Sequence, residues 1–401
     1  MKRLINSIPR DFLLFLLAVA AIGFAQSLVD ATFNNFLNER FAITNLQRSL
    51  IEIPREIPGL IVIFVSALFF FLCNRTLAAV SQFIAAAGIF LIGLFSFNYN
   101  HMLVWLFIFS LGQHLFLPLT SDIGMELAHA GNTGKRLGQL QGAGNLAAIA
   151  GSFVIFVGFK YFHLSFTATF ILAACCYLAG ALLIAAMKRN KPVPMSTRFI
   201  FRKEYRLFYI LTVLYGTRKQ IFLTFAPWIL VTIFEQQTQS IATLLTIGGV
   251  IGIVFKPLLG RAIDRYGEKT ILAGEAVALV FVCLGYGFSK KLFPFSTALI
   301  IASACYVADQ LLMSVGMARA TYLKKIALNP QEVTSTLTAA VSIDHIFSIA
   351  IALLGGVIWK TAGYEYIFLL GAAIALINLF FALQITTVPA RSAQVIPPES
   401  R

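Results

Sequence analysis

The chain is short of charge. Of its 401 residues only 12% are Asp, Glu, Lys or Arg, about half the share of a soluble domain. That shortage excludes an ordinary soluble fold, because 59% of the chain is hydrophobic and 38 residues are Phe, too many for a water-facing surface to hide. Cysteine is scarce as well. Cys73, Cys175, Cys176, Cys283 and Cys305 lie in or beside apolar runs without metal-ligand spacing. They read as small buried hydrophobes, not as a disulfide framework or a thiolate metal centre. No Gly-rich loop ending in Lys-Ser/Thr is present, which excludes direct ATP hydrolysis on this chain. No nucleophile–base pair and no metal cluster has a recognisable spacing, so an enzyme is not expected and no cofactor is implied. No small-residue cleavage site follows the first apolar run, which therefore reads as a spanning helix and not as a signal peptide.

What the chain has is long apolar runs. About twelve reach the ~20 residues that a spanning helix needs; they centre near Ala20, Ile61, Gly88, Phe109, Ala150, Ala173, Lys219, Gly249, Ala278, Ala304, Ile349 and Ala373. The net charge of +14 would suit nucleic acid, but its distribution follows the loops. Lys2, Arg3 and Arg10 precede the first run, Lys135 and Arg136 follow the fourth, and Arg261, Arg265 and Lys269 follow the eighth. Lys188, Arg189, Lys191, Arg198, Arg202, Lys203 and Arg206 crowd the middle. Positive-inside bias then puts both termini and the central loop in the cytoplasm. The lipid bilayer is the expected partner and nucleic acid is not.

The basic segment 188–206 contains no spanning run and holds Pro192 and Pro194. It divides the chain into an N-terminal bundle (1–187) and a C-terminal bundle (207–388) of about six helices each, followed by a polar cytoplasmic tail (389–401) expected to be disordered. The halves are weak repeats: Gln113-His114 maps onto Asp309-Gln310, each pair inside the fourth helix of its half.

Gly260-Arg261-Ala262-Ile263-Asp264-Arg265-Tyr266-Gly267-Glu268-Lys269 joins helices eight and nine. It resembles the signature of the major facilitator superfamily: glycine, three residues, Asp-Arg, one residue, glycine, one residue, then a base. The glycines permit close packing and a tight turn. The resemblance implies an all-α integral membrane fold of twelve transmembrane helices in two six-helix bundles. It also implies a conformational latch at Gly260, Asp264, Arg265, Gly267 and Lys269. In the first half the pattern is degraded: Ser66, Phe70, Phe71 and Cys73 replace its key positions and only Arg75 survives as a base.

Polar residues inside the runs mark a pathway, since an ionised group at mid-bilayer costs at least ~2.5–3.5 kcal/mol. Gln26, Asp30 and Asn34 recur every fourth residue on one face of helix one. Helix two opens with Glu52, Pro54, Arg55, Glu56 and Pro58; Arg55 and Glu56 are either a local ion pair or an outer gate. Helix four offers His114, a structural hydrogen-bonder or a proton relay. Gln141 and Asn145 of helix five are helix glue or solute contacts, beside Gly142, Gly144 and Gly151, which read as close helix contacts. Tyr215, Arg218 and Lys219 lie near the middle of helix seven, Asp309 in helix ten, and Asp344-His345 in helix eleven. In the family fold helices one, four, seven and ten line the cavity, which makes Asp309 a partner for Arg218 or Lys219. The pair is either a fixed salt bridge or one that a proton or an anion opens.

The expectation is a secondary transporter, not an enzyme, in a bacterial inner or plasma membrane. It moves a small anionic organic solute by alternating access and couples to a proton or another ion. Arg218, Lys219, Gln26, Asp30, Asn34, His114, Gln141, Asn145 and Tyr215 would bind solute, and Asp309, Asp344 and His345 would carry the proton. If the two cations anchor solute, losing them harms transport more than folding. The protein is expected to act as a monomer. A multidrug antiporter, a lipid or lysolipid transporter and a non-transporting sensor remain as alternatives, although the drug-antiporter Gly-Pro element of helix five is missing.

Overall fold

The computed structural model describes residues 9–68, 72–128, 133–188 and 202–386. Phe70 and Phe71, most of the basic linker and the polar tail fall outside these residues, as does the side chain of Ser66. Helix α1 (Arg10–Phe41) starts after Pro9 and stops at Ala42, whose left-handed backbone turns its N–H to the Asn38 carbonyl. A short α2 (Asn45–Leu50) follows, fixed by a capping box between Thr44 and Gln47. Then come α3 (Glu52–Leu68), α4 (Asn74–Phe95), α5 (Tyr99–Glu126), α6 (Thr133–Tyr161) and α7 (Phe166–Ala185). The second half holds α8 (Arg206–Thr232), α9 (Thr238–Leu292), α10 (Phe295–Leu312), α11 (Gly316–Ile326), α12 (Pro330–Thr361) and α13 (Tyr364–Ala382).

Among the described residues, nine helices are long and apolar enough to cross a membrane. Helix α9 counts once among them, yet its 55 residues would stretch about 82 Å if straight, more than twice a ~30 Å hydrocarbon core. It breaks at Gly267, where φ is 77° and ψ 163°, a conformation open to glycine and strained for other residues. The turn foreseen between helices eight and nine is this break. Helix α8 is absent from the nine; Arg218 and Lys219 interrupt its apolar run. The outer surface is apolar: Phe83 is 60%, Phe281 70%, Ile300 69% and Phe380 62% exposed, as lipid-facing positions are. The chain is a multi-pass integral membrane protein. Cys175 belongs to this exposed surface, a correction to its reading as a buried hydrophobe.

In the first half α4 packs on α5 and α7, and α1 on α6 and α7; in the second, α9 packs on α10 and α13, and α8 on α12 and α13. Among the described residues the halves meet chiefly through α6 with α9 and α12 with α2 and α3, and more lightly through α1 with α8 and α9. Helices α1 and α6 approach closely because two glycines meet. A Cβ on Gly23 would lie 2.6 Å from the Gly144 carbonyl oxygen. Gly151 likewise abuts the Phe24 carbonyl, while Gly142 has open space around it.

Candidate functional site

The end of the bundle where α1 begins is here the near side, and the opposite end the far side. Side-chain hydrogen bonds between the halves gather at the far side. Asn35 donates to the Gln236 carbonyl at 3.0 Å, Trp228 to Asn45 at 2.8 Å, Gln220 to Glu52 at 2.9 Å, and His345 Nδ1 to Glu56 at 2.7 Å. Glu52 is fully buried and holds two cations, Arg48 at 2.6 Å and Arg55 at 2.8 Å. Arg48 also donates to Asn34 at 3.0 Å. Arg55 thus takes both of the carboxylates offered to it, with Glu56 the more distant at 3.4 Å.

Below this closure lies a branched cavity between the halves. Its upper chamber, about 350 Å³, is lined by Asp30, Asn34, Arg55, Glu56, His114 and Gln310 among others. A neighbouring chamber of about 340 Å³ shares Gln26, Asp30 and Gln310 and adds Asn145 and Lys256. Two larger chambers, about 640 Å³ and lined by the first half alone, and about 660 Å³ and lined by both halves, share Gln141 and Asn145 and reach Leu137, Gly138 and Met317 towards the near side. Gln26 is the hub of the wall. It donates to Asp30 at 2.8 Å, accepts from the Tyr177 hydroxyl at 2.7 Å, and accepts from Gln113. The face foreseen on helix one is therefore the cavity wall, and His114, Gln141 and Asn145 join it.

Arg218, Lys219 and Tyr215, expected against the solute, are not among this lining. Arg218 is 1% exposed and pairs with Asp309, itself 1% exposed. Lys219 pairs with Asp344 at 2.9 Å. Tyr215 donates to the Met313 carbonyl at 3.0 Å, and its ring lies 3.5 Å under the Arg319 guanidinium, which binds Glu275 at 3.0 Å. Three ion pairs thus converge around one aromatic ring inside the second half. The physical reason is compensation: three carboxylates reach these cations, and a matched charge has no need of the aqueous cavity. His345 leaves its own half and pairs across the closure. Two nitrogens of Arg218, Nε and Nη2, are buried without a hydrogen-bond partner among the described residues.

At the latch motif Asp264 and Arg265 are exposed, and Arg265 stacks at 5.3 Å on Tyr266. Glu268 inside the motif bonds Lys325 at 2.8 Å. Arg75, the relic of the first-half motif, ties three segments together: it binds Asp11 at 2.6 Å, Glu126 at 2.8 Å and the Lys188 carbonyl at 2.6 Å.

Sequence reasoning missed Lys256, Glu275, Arg319, Gln113 and Tyr177 as site residues. Lys256 and Glu275 carried a signal, each an ionisable group within an apolar stretch; Tyr177 carried none. The sequence profile described as the Major Facilitator Superfamily matches residues 15–343 and again 208–400. Solved structures agree in fold. The nucleoside transporter NupG aligns with a TM-score of 0.74 at 14% identity, covering 94% of this chain and 100% of its own. A D-xylose-proton symporter gives 0.69 at 18%, covering 95% and 98%. A POT family transporter in complex with 5-aminolevulinic acid gives 0.72 at 12%, covering 94% and 96%. At such identities the likeness shows the fold alone. No curated protein matches the chain in sequence.

Proposed function

The chain belongs to the major facilitator superfamily, and from that premise we propose that it is an alternating-access secondary transporter for a small organic anion. Twelve spanning helices form two bundles, 1–187 and 207–388, with the basic linker 188–206 and both termini cytoplasmic. The observation that carries the mechanism is the one-sided closure. Polar residues of both halves line one cavity, and the hydrogen bonds that join the halves sit at its far end. With the near side cytoplasmic, this is the inward-facing state.

Lys256 supports the anionic substrate. It lines two chambers, and among the described residues it is the cavity-lining cation without an ion-pair partner, whereas Arg48 and Arg55 are already matched. Asp30, held by Gln26, faces the same chamber and suits a solute that also bears a hydroxyl or amine donor. The Arg218–Asp309 and Lys219–Asp344 pairs are the sites of proton coupling. A proton on either carboxylate frees its cation, and the half-satisfied Arg218 guanidinium is ready for another acceptor. Proteoliposomes that carry the solute regardless of an imposed pH gradient would exclude this coupling.

The test of the substrate class is thermal stabilisation of the purified protein by panels of organic anions, organic cations and lipids. Anions should stabilise the wild type, and Lys256→Gln should weaken that response about tenfold in concentration, the loss of one charge-assisted contact. Stabilisation by cations or lysolipids alone, or an anion response untouched in Lys256→Gln, rejects the assignment.

A further inference from the structure

No spacing in the sequence announces a metal centre, yet the fold brings three candidate ligands together. Glu56 from α3, His114 from α5 and His345 from α12 each offer one donor atom, and the three atoms lie within 4.8 Å of one another. The imidazole rings of His114 and His345 are 4.9 Å apart and inclined at 67°. A tetrahedral zinc shell with bonds of 2.0–2.1 Å spaces its donors by about 3.3 Å; modest side-chain rotation reaches that spacing, with the metal taking the place of the proton that His345 Nδ1 now donates to Glu56 at 2.7 Å.

The surroundings fit a metal ligand set in three ways. The Ser110 hydroxyl donates to the Arg55 carbonyl at 2.5 Å, so its proton is already committed. His114 Nδ1, 2.9 Å from the Ser110 carbonyl, is then the donor N–H of the ring, which leaves Nε2 with its lone pair. A ligating histidine is commonly oriented this way, through a backbone carbonyl on its other nitrogen. Gly59 leaves room for the His345 ring: a Cβ there would lie 2.3 Å from its Nε2, so a larger residue would make the imidazole shift. The neighbouring Arg55 opposes a cation, but its shorter bond is to Glu52 at 2.8 Å and its bond to Glu56 is 3.4 Å. It keeps the first and yields the second.

We propose that Glu56, His114 and His345 form a site for a divalent transition metal of the Zn²⁺ class, with the fourth position open to water from the cavity that Glu56 and His114 line. Two ligands belong to the first half and one to the second, so the site exists only while the far side is closed. The metal therefore holds that closure shut. The site does not depend on which solute the cavity carries.

The full-length protein in detergent should bind one Zn²⁺ per chain in a saturable titration, with a rise in thermal midpoint that Mg²⁺ does not give. His114→Gln and His345→Gln should each raise the Zn²⁺ dissociation constant at least tenfold. Two readouts need no variant. Co²⁺ should give the visible bands of a four-coordinate site, and Zn²⁺ should slow backbone hydrogen exchange in residues 42–51 and 234–238, the segments that close the far side. No saturable Zn²⁺ binding, binding unchanged in both histidine variants, a Co²⁺ spectrum of the hydrated ion only, or unaltered exchange in those segments would each overturn the proposal.

Discussion

Most mid-helix polar groups of the two halves are handled in opposite ways, Lys256 and Gln310 of the second half being cavity-lining exceptions. In the first half, α1, α5 and α6 present amides, an imidazole and Asp30, which line the cavity directly. In the second half, α8, α9, α10, α11 and α12 carry Arg218, Lys219, Glu275, Asp309, Arg319 and Asp344, and these cluster into three ion pairs off the cavity lining. Both arrangements answer the same penalty for charge in hydrocarbon, one with water and one with a counter-charge. An ionisable residue in a spanning helix therefore does not by itself mark a solute contact. The decisive fact is whether a partner reaches it.

The sharpest test of that contrast is Arg218→Ala. Sequence reasoning expected a transport defect with little harm to folding. With Arg218 and Asp309 both 1% exposed, removal strands a buried carboxylate and should destabilise the protein by about 3–5 kcal/mol. Arg218→Gln with Asp309→Asn should recover most of that loss, since no uncompensated charge remains. Melting curves of the single and double variants in detergent decide it; equal stability of wild type and Arg218→Ala would erase the distinction between the two walls.

The first-half wall should behave in reverse. Asp30→Asn keeps the bond to Gln26 within reach and changes a group that already meets the cavity. Stability should stay within about 0.5 kcal/mol of wild type, while transport falls at least tenfold. A variant that unfolds, or one that transports normally, would show that Asp30 is structural. Asp264→Asn should act more weakly still. Its exposed position beyond the cavity predicts a few-fold slower turnover with solute affinity unchanged, measured as initial rates against equilibrium binding.

The smallest effect lies outside the membrane, where the linker meets α12. Glu332 accepts from the Tyr205 hydroxyl at 2.5 Å, Arg202 at 2.6 Å and Asn329 at 3.1 Å. These bonds, that from Tyr205 foremost, lower its pKa from the ordinary 4.5 to about 2. A depressed carboxyl contributes stability that is complete above its unfolded pKa and fades as pH falls through its folded one. The thermal midpoint of the wild type should therefore drop between pH 4.5 and 2 more steeply than that of Glu332→Gln. Parallel curves would deny Glu332 this role.

Much of the architecture was legible because bilayer physics writes itself into composition. Apolar runs, loop cations and the glycine of the α9 break each follow from a local requirement, and Gly267 adopts the backbone that its motif implied. The helix-one stripe was legible for the same reason: residues four apart share a face, and Gln26 and Asp30 indeed face one chamber. Charge in mid-helix was visible too, but its destination was not. Asp309 was foreseen as a partner of Arg218 or Lys219, whereas Glu275 with Arg319 and Asp344 with Lys219 come from elements 44 and 125 residues apart.

By itself, then, the sequence determined that this chain crosses a membrane many times, where it turns, and which residues are too polar for lipid. Only the tertiary structure decided which of them meet water, which meet a counter-charge, and which meet one another across the halves. Hydropathy and helical periodicity act within one segment. The pairing of Arg218 with Asp309, the absence of an ion-pair partner for Lys256 among the described residues and the meeting of His114 with His345 depend on how helices distant in the chain are packed side by side.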